Sequence, residues 1–494
     1  MDNYLPYEQF GAVGAGHADD MPAIVRTHEE AARLGLPVKA KAGAHYYISP
    51  KAATAVIFTR PDWSGARFTI DDRGCEDLAS AVFSVPTTET VVPLAVTSLA
   101  RGQSTLGNPC GRDAYVTIQN ENHRDYIRLG LNQNNGQPRQ DYLLLHADGS
   151  LSSPVSFDFD EVTLATARPI EGTTLLLTGG EFTTIANPQD CTLTPYTATC
   201  RNIHISRSNV EVAGLTHLVT GEGETGTAYS GFLRISDCAR IRVHDCLFTG
   251  HYIYWCTGSA GKPVAMGSYD LLCDRSVDVR FENCSQTTDI TDGHYWGLFA
   301  SNFCRELQLE NCTFSRFDAH MGVSNCVLRG CTFGHQCVNI IGNGSFLMEN
   351  VHVHGINFAR LRDDYGSTFR GELVIRNCTW HPSYETREIL YAFNAGFHDF
   401  GYTCYLPQQV LIDGFTIEEN PSAAEESPAA ETPLAVFMDF VHTDAFWLLP
   451  PDNARYDWPI VPPARVTVRN LYTTRRVVLC SNPDLLKETV FTVE

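Results

Sequence analysis

Three short stretches concentrate the side chains able to do chemistry. In the first, Arg316, Asp318 and His320 alternate with Phe317, Ala319 and Met321. That period-two pattern puts the three ionisable groups on one face of a strand and the apolar ones on the other. A guanidinium, a carboxylate and an imidazole together offer proton transfer and charge stabilisation; a solvated strand face with an ion pair is the plainer alternative. In the second, Arg360 and Arg362 flank Leu361 and face outward, and Asp363, Asp364 and Tyr365 turn a corner. A charged corner held by salt bridges is the plainer alternative there. The third holds Asp289, Asp292, His294, Tyr295 and Trp296, with aromatic faces that are either exposed or buried. Asn339 lies between the first two stretches and could hydrogen-bond a hydroxyl. Asp289, Asp292, Asp363 and Asp364 could bind calcium. No other metal or cofactor is expected, because zinc, P-loop, nucleophile-elbow and Rossmann motifs are missing.

Residues so far apart in sequence become neighbours only if the backbone repeats. From about residue 201 it does: short strands end in a turn residue, and a small or apolar strand follows. The turn residues are Gly214, Asp245, Asn283, Asn311, Gly330, Asn350, Asn377, Gly414 and Asn470. All are types that tolerate a left-handed backbone. Asn side chains stacked at such a corner can form a hydrogen-bonded ladder. Cys246, Cys284, Cys312, Cys331 and Cys378 follow the turn directly, with Phe248, Phe314, Phe333 and Trp380 two residues on. Such regularity predicts inward stacks along an axis rather than metal ligands or nucleophiles. The predicted fold is all-β, a parallel solenoid of coils. Strands one coil apart lie about 4.8 Å from each other. Asp292 and Asp318 should then be about 5 Å apart, and Asp318 and Asp363 about 10 Å.

The chain divides as residues 1–50, a cap with a helix that Asp19 starts and Gly35 stops; 51–200, early coils with inserted β-rich loops; 201–420, regular coils carrying the candidate site; and 421–494, a Pro- and Ala-rich loop (421–433) and closing coils. The formal charge of −21 argues against nucleic-acid partners. No run of about 18 apolar residues predicts a membrane span. The N-terminus lacks the features of a secretory signal, and the seventeen cysteines read as reduced, buried thiols, so a cytoplasmic location is expected; a disulfide framework is the alternative. Oligomeric state is open between monomer and trimer.

The segment FGAVGAGHADD (10–20), followed by a helix and the strand AGAHYYI (42–48), resembles the N-terminal cap of the pectate-lyase-like right-handed parallel β-helix superfamily, with Ala15 where an Asp is usual. Further pieces, VTGEG (219–223), GSAGKPVAMGSYD (258–270), SRFDAH (315–320) and RDDYGS (362–367), resemble a group of such proteins common in gut bacteria that has no established activity. The resemblance implies a poly- or oligosaccharide partner lying in a groove along the coils. Three functions are compatible with it. One is an inverting glycoside hydrolase using Asp318 with Asp363 or Asp364. Another is a uronate lyase or C5-epimerase using His320, Tyr365 and an arginine. In that reading RFDAH is similar to the DPH motif of mannuronan C5-epimerases, with Ala319 in place of the proline. The last is a non-catalytic, tailspike-like glycan-binding protein.

Overall fold

The computed structural model describes residues 4–75, 77–128, 132–191, 198–383, 388–392, 401–419, 434–437, 460–480 and 489–494. Its organising feature is the corner. All nine turn residues have positive φ, from 51° at Asn377 to 70° at Gly414, so the chain bends there in the left-handed conformation that Asn, Asp and Gly accept at least cost. The side chains bond from coil to coil: Asn283 Nδ2 donates to Asp245 Oδ1 (3.1 Å), Asn311 Nδ2 to Asn283 Oδ1 (3.4 Å) and Asn470 Nδ2 to Asp413 Oδ1 (2.9 Å). Behind the corner the five cysteines and the four aromatic residues are buried in one continuous core. The thiols donate to carbonyl oxygens of the corner, as Cys284 does to Glu282 O at 3.4 Å.

The strands before and after this corner belong to a 24-stranded sheet, and a separate parallel sheet of twelve strands closes the coil. That second sheet runs through Tyr269–Asp274, Phe299–Asn302, Phe317–Met321, Val338–Ile340 and Ala359–Leu361, each paired in parallel with the next. At the N-terminal end the helix Met21–Leu34 covers the first coil, with Asp20 rather than Asp19 at its N-cap and Gly35 at φ 67° ending it. Asp19 accepts from Met21 N–H (3.2 Å), and Asp20 turns back to accept from Val13 N–H (2.6 Å).

Residues 51–200 combine coils and an insertion. Pro61–Asp62 and Arg67–Asp71 continue the solenoid, whereas Ala114–Asp125, Gln137–Leu145, Leu164–Pro169 and Val92–Pro93 make an antiparallel sheet with its own apolar core. The sheet docks on the coil edge through Tyr115, Tyr142 and Ile170 against Ala239 and Val277, and through a buried ion pair of Asp141 with Arg305 at 2.6 Å. The loop expected at 421–433 falls outside the described residues. No described helix is long and apolar enough to cross a membrane.

The cysteine reading needs one correction. Cys191 and Cys256 form a disulfide, whereas Cys246, Cys284, Cys312, Cys331 and Cys378 of the corner stack remain thiols. The pair lies outside the repeating core pattern. Cys256 sits on a hairpin of Tyr254–Thr257 with Pro263–Met266, and a loop before the regular coils carries Cys191.

Candidate functional site

The strand Phe317–Met321 alternates as its sequence requires. Phe317 and Ala319 are wholly buried in the coil core, and Asp318 and His320 point outward from it. Outward does not mean solvated, because Asp318 has no exposed surface. Its carboxylate accepts from Tyr269 Oη (2.6 Å) and pairs with Arg362 Nη1 (2.6 Å) and Arg316 Nη2 (3.0 Å). Arg362 also grips Asp364 through Nε (3.2 Å) and Nη2 (3.0 Å), so a single guanidinium joins the two carboxylates. Arg128, delivered by the end of the inserted sheet, meets Asp364 at 2.8 Å from the other side. Arg316 lies over the Trp296 ring at 4.9 Å, a contact worth about 0.5–1 kcal/mol. Gly297 makes room for it: at φ 143°, a Cβ there would stand 2.7 Å from the Arg316 side chain.

His320 Nδ1 donates to Asn302 Oδ1 (2.9 Å). An amide oxygen only accepts, so this bond fixes the tautomer and leaves the lone pair on Nε2, which accepts from the Tyr365 hydroxyl at 3.2 Å. Burial, then the nearby Arg362, pushes the imidazole down to about 3. It is neutral throughout the physiological range. Burial alone would raise Asp318, but the Arg316 and Arg362 guanidiniums outweigh it and hold the carboxyl far below its ordinary range. Asp364 is held low in the same way by Arg362 and Arg128. Burial raises Tyr365 to about 12, and it raises Tyr269 further still, with Asp318 adding to the effect. The cluster therefore contains two fixed carboxylates, three guanidiniums, a neutral imidazole and two protonated phenols.

Asp318, His320, Tyr269 and the three guanidiniums form part of the wall of a cavity of about 760 Å³. Asp318, His320, Arg316 and Arg362 lie on one side with Asn302; Tyr229, Tyr269 and Trp296 supply aromatic walls. Asn132, Gln133 and Asn134 from the insertion face the hairpin residues Thr257, Ser259 and Ala265. The two loops touch, with Ser259 Oγ donating to Gln133 O at 2.7 Å.

The structure thus brings together Arg316, Asp318, His320, Arg362, Asp364, Tyr365 and Trp296. It leaves others outside. Arg360 lies over the Tyr391 ring (4.7 Å) and pairs with Asp363 at 3.5 Å, away from the cavity wall. Asn339 is buried beside Asp318 in the sheet, and its Nδ2 donates to Gln336 O (3.0 Å). Asp292 and His294 bond each other on an exposed loop (2.6 Å), where Asp289 binds Thr291 and Tyr295 stacks on Tyr252. Asp292 sits in that loop and not on a strand, so the strand-to-strand spacing used to relate it to Asp318 does not apply to it. The four aspartates considered for calcium are not gathered, and no metal-binding group of His, Cys, Asp and Glu occurs among the described residues. Sequence reasoning missed Arg128, Tyr269 and Asn302. Only Tyr269, inside a quoted motif, carried any signal.

A second buried cluster lies inside the coil. Asp270 accepts from His217 Nδ1 (2.7 Å), His251 Nε2 (3.2 Å) and Thr249 N–H (2.9 Å), and His251 Nδ1 bonds Glu222 (2.9 Å). His217 stacks on Phe232 at 3.7 Å.

No family model matches the chain, and no curated protein matches it by sequence. Solved structures do match. The tailspike gp61 of Pseudomonas phage phi297 aligns with a TM-score of 0.56 and 12% identity over 99% of this chain and 84% of that one. The gp54 tailspike of Acinetobacter baumannii bacteriophage AP22, solved with a capsular saccharide, gives 0.53 and 8% over 96% and 76%. The tailspike gp49 of Pseudomonas phage LKA1 gives 0.51 and 14% over 97% and 82%. At such identities the likeness concerns the backbone. Taken with the corner ladder and the parallel coils, it makes this chain a right-handed parallel β-helix.

Proposed function

We propose that the protein is a carbohydrate-active β-helix whose cavity takes a carboxylate-bearing saccharide and works on it by proton transfer, as a uronate lyase or C5-epimerase would. The observation that carries this reading is the protonation pattern: both clustered aspartates are held ionised, and His320 is held neutral among three arginines. Three guanidiniums against two carboxylates leave a surplus of one positive charge in a chain of formal charge −21. A sugar carboxylate complements that surplus. It also offsets the part of the depression of His320 that comes from Arg362, burial being the larger cause, and so raises the basicity of the imidazole for abstraction of the C5 proton. The arginines then stabilise the charge that spreads onto the carboxylate. Tyr269, kept protonated and oriented by Asp318, is the acid available on the cavity side; Tyr365 is buried and positions the imidazole.

A hydrolase needs a protonated carboxyl in the cleft. The one raised carboxyl of these stretches, Asp363, pairs with Arg360 off the cavity wall. Non-catalytic capture of the same saccharide is the second reading, favoured by the fact that both nitrogens of His320 are engaged.

Incubation with acidic polysaccharides separates them. Lyase action produces an unsaturated sugar seen by its near-ultraviolet absorbance, and epimerase action takes up solvent deuterium without shortening the chain. His320→Gln should lower either rate by about 10²–10⁴-fold and leave binding intact. New reducing ends without absorbance would replace this reading with a hydrolase, and binding with no product would replace it with a receptor.

A further inference from the structure

The cavity accounts for the outward face of the sheet but not for Trp255, a large aromatic side chain left 55% exposed. Its position is set by the hairpin. Tyr254 pairs with Met266, Trp255 with Ala265, Cys256 with Val264 and Thr257 with Pro263. Directly opposed residues of an antiparallel pair share a face, and alternate residues along a strand share it too. Trp255 therefore stands on the same face as Thr257 and Ala265, both of which line the cavity. Tyr254 and Cys256, on the other face, are buried. Trp255 does not line the cavity itself, but its cross-strand partner Ala265 and its same-face neighbour Thr257 do, as does Met266 beside Ala265.

The mount is fixed at both ends. Cys256, the next residue, is tied to Cys191, and the hairpin tip is held to the insertion by Ser259 and Gln133. An exposed indole costs solubility and offers no packing to the fold. A rigid, solvent-facing indole beside a polar cavity matches the C–H face of a pyranose ring, which is apolar and flat.

Building on the saccharide reading of the cavity, we infer that Trp255 is a stacking platform for the sugar unit that follows the one held in the cavity, so that the ligand is an oligosaccharide leaving the cavity over the hairpin. The cavity recognises charge, and the platform recognises length.

The test measures affinity against length. Oligogalacturonates, oligomannuronates and oligoglucuronates of two to six residues are titrated calorimetrically into the wild-type protein, Trp255→Ala and Trp255→Phe. Thermal melting checks that each variant folds. In the wild type, affinity for the series that binds should step up about tenfold at one length. Trp255→Ala should remove the step while leaving the shortest bound oligomer unchanged, and Trp255→Phe should keep most of it. If Trp255→Ala reproduces the wild-type length profile, or if the wild type shows no step, the platform is wrong and the cavity reading stands. If no oligomer binds any of the three proteins, the cavity reading falls and the platform falls with it.

Discussion

Two aspartates a few coils apart, Asp318 and Asp270, are both wholly buried and both ionised, yet they are built for different ends. Asp270 faces the interior of the coil, where two imidazoles and a backbone N–H saturate it. Burial would raise it, but His217 and His251 prevail and bring it to about 2. Asp318 faces away from the core and is held by two guanidiniums and a phenol that also line the cavity. The first cluster closes on itself. The second is closed on one side only, and its cations remain within reach of a ligand. A buried charge is thus no mark of function by itself; what distinguishes the two is which partners still border open space.

The contrast breaks most sharply on substitution. Asp270→Asn and Asp318→Asn should each cost about 3–5 kcal/mol in denaturant unfolding, since each removes a buried carboxylate from its cation, His251 in the first case and Arg316 with Arg362 in the second. Only Asp318→Asn should also abolish turnover of the acidic saccharide; equal loss of turnover in both would erase the distinction. Arg128→Gln comes next. It removes a partly exposed cation from the cavity and should weaken saccharide binding by about 1.5–3 kcal/mol in calorimetry, with stability nearly unchanged.

The pH dependence of stability should separate the two clusters with opposite signs. His320 binds its proton near 3 when folded and at about 6.5 when unfolded. Between those values the unfolded chain holds more protons, so stability falls as pH drops. His320→Gln should flatten that limb of a Tm-versus-pH curve. Burial would lower His251, but Glu222 and Asp270 raise it to about 10. Its contribution is complete below about 6.5 and is lost as pH rises through 10, and His251→Gln should remove the alkaline limb. Smallest is a change remote from both clusters. Asn311→Ala removes the ladder bond and the polar side chain that eases a left-handed backbone at φ 53°, and should cost about 1–2 kcal/mol.

How much of this was legible in the sequence follows from the range of each interaction. The corner was legible because a left-handed backbone restricts residue type, so Gly, Asn and Asp recur where the chain must bend. The facing of Arg316, Asp318 and His320 was legible because a strand alternates. Beyond that, local pattern fails. Arg128 reaches Asp364 from the segment that follows the strand Ala114–Asp125 of the insertion, and nothing near residue 128 announces it. Tyr269 and Asn302 are ordinary strand residues until stacking sets them beside Asp318 and His320. Conversely, the stretch 289–295 is rich in reactive types and is merely a solvated loop. The Cys191–Cys256 disulfide escaped because its members stand apart from the stack that explained so many other cysteines.

The delivery of Arg128 by the insertion has a consequence for biogenesis. Solenoid coils can form by contact with immediate neighbours, so much of this chain could assemble correctly with an incomplete cavity. Charge balance around Asp364 is reached only when a module encoded more than two hundred residues earlier has docked on the finished coils. Activity would then report on completed assembly. A single proteolytic nick in the antiparallel sheet would silence the protein while its long axis stayed intact.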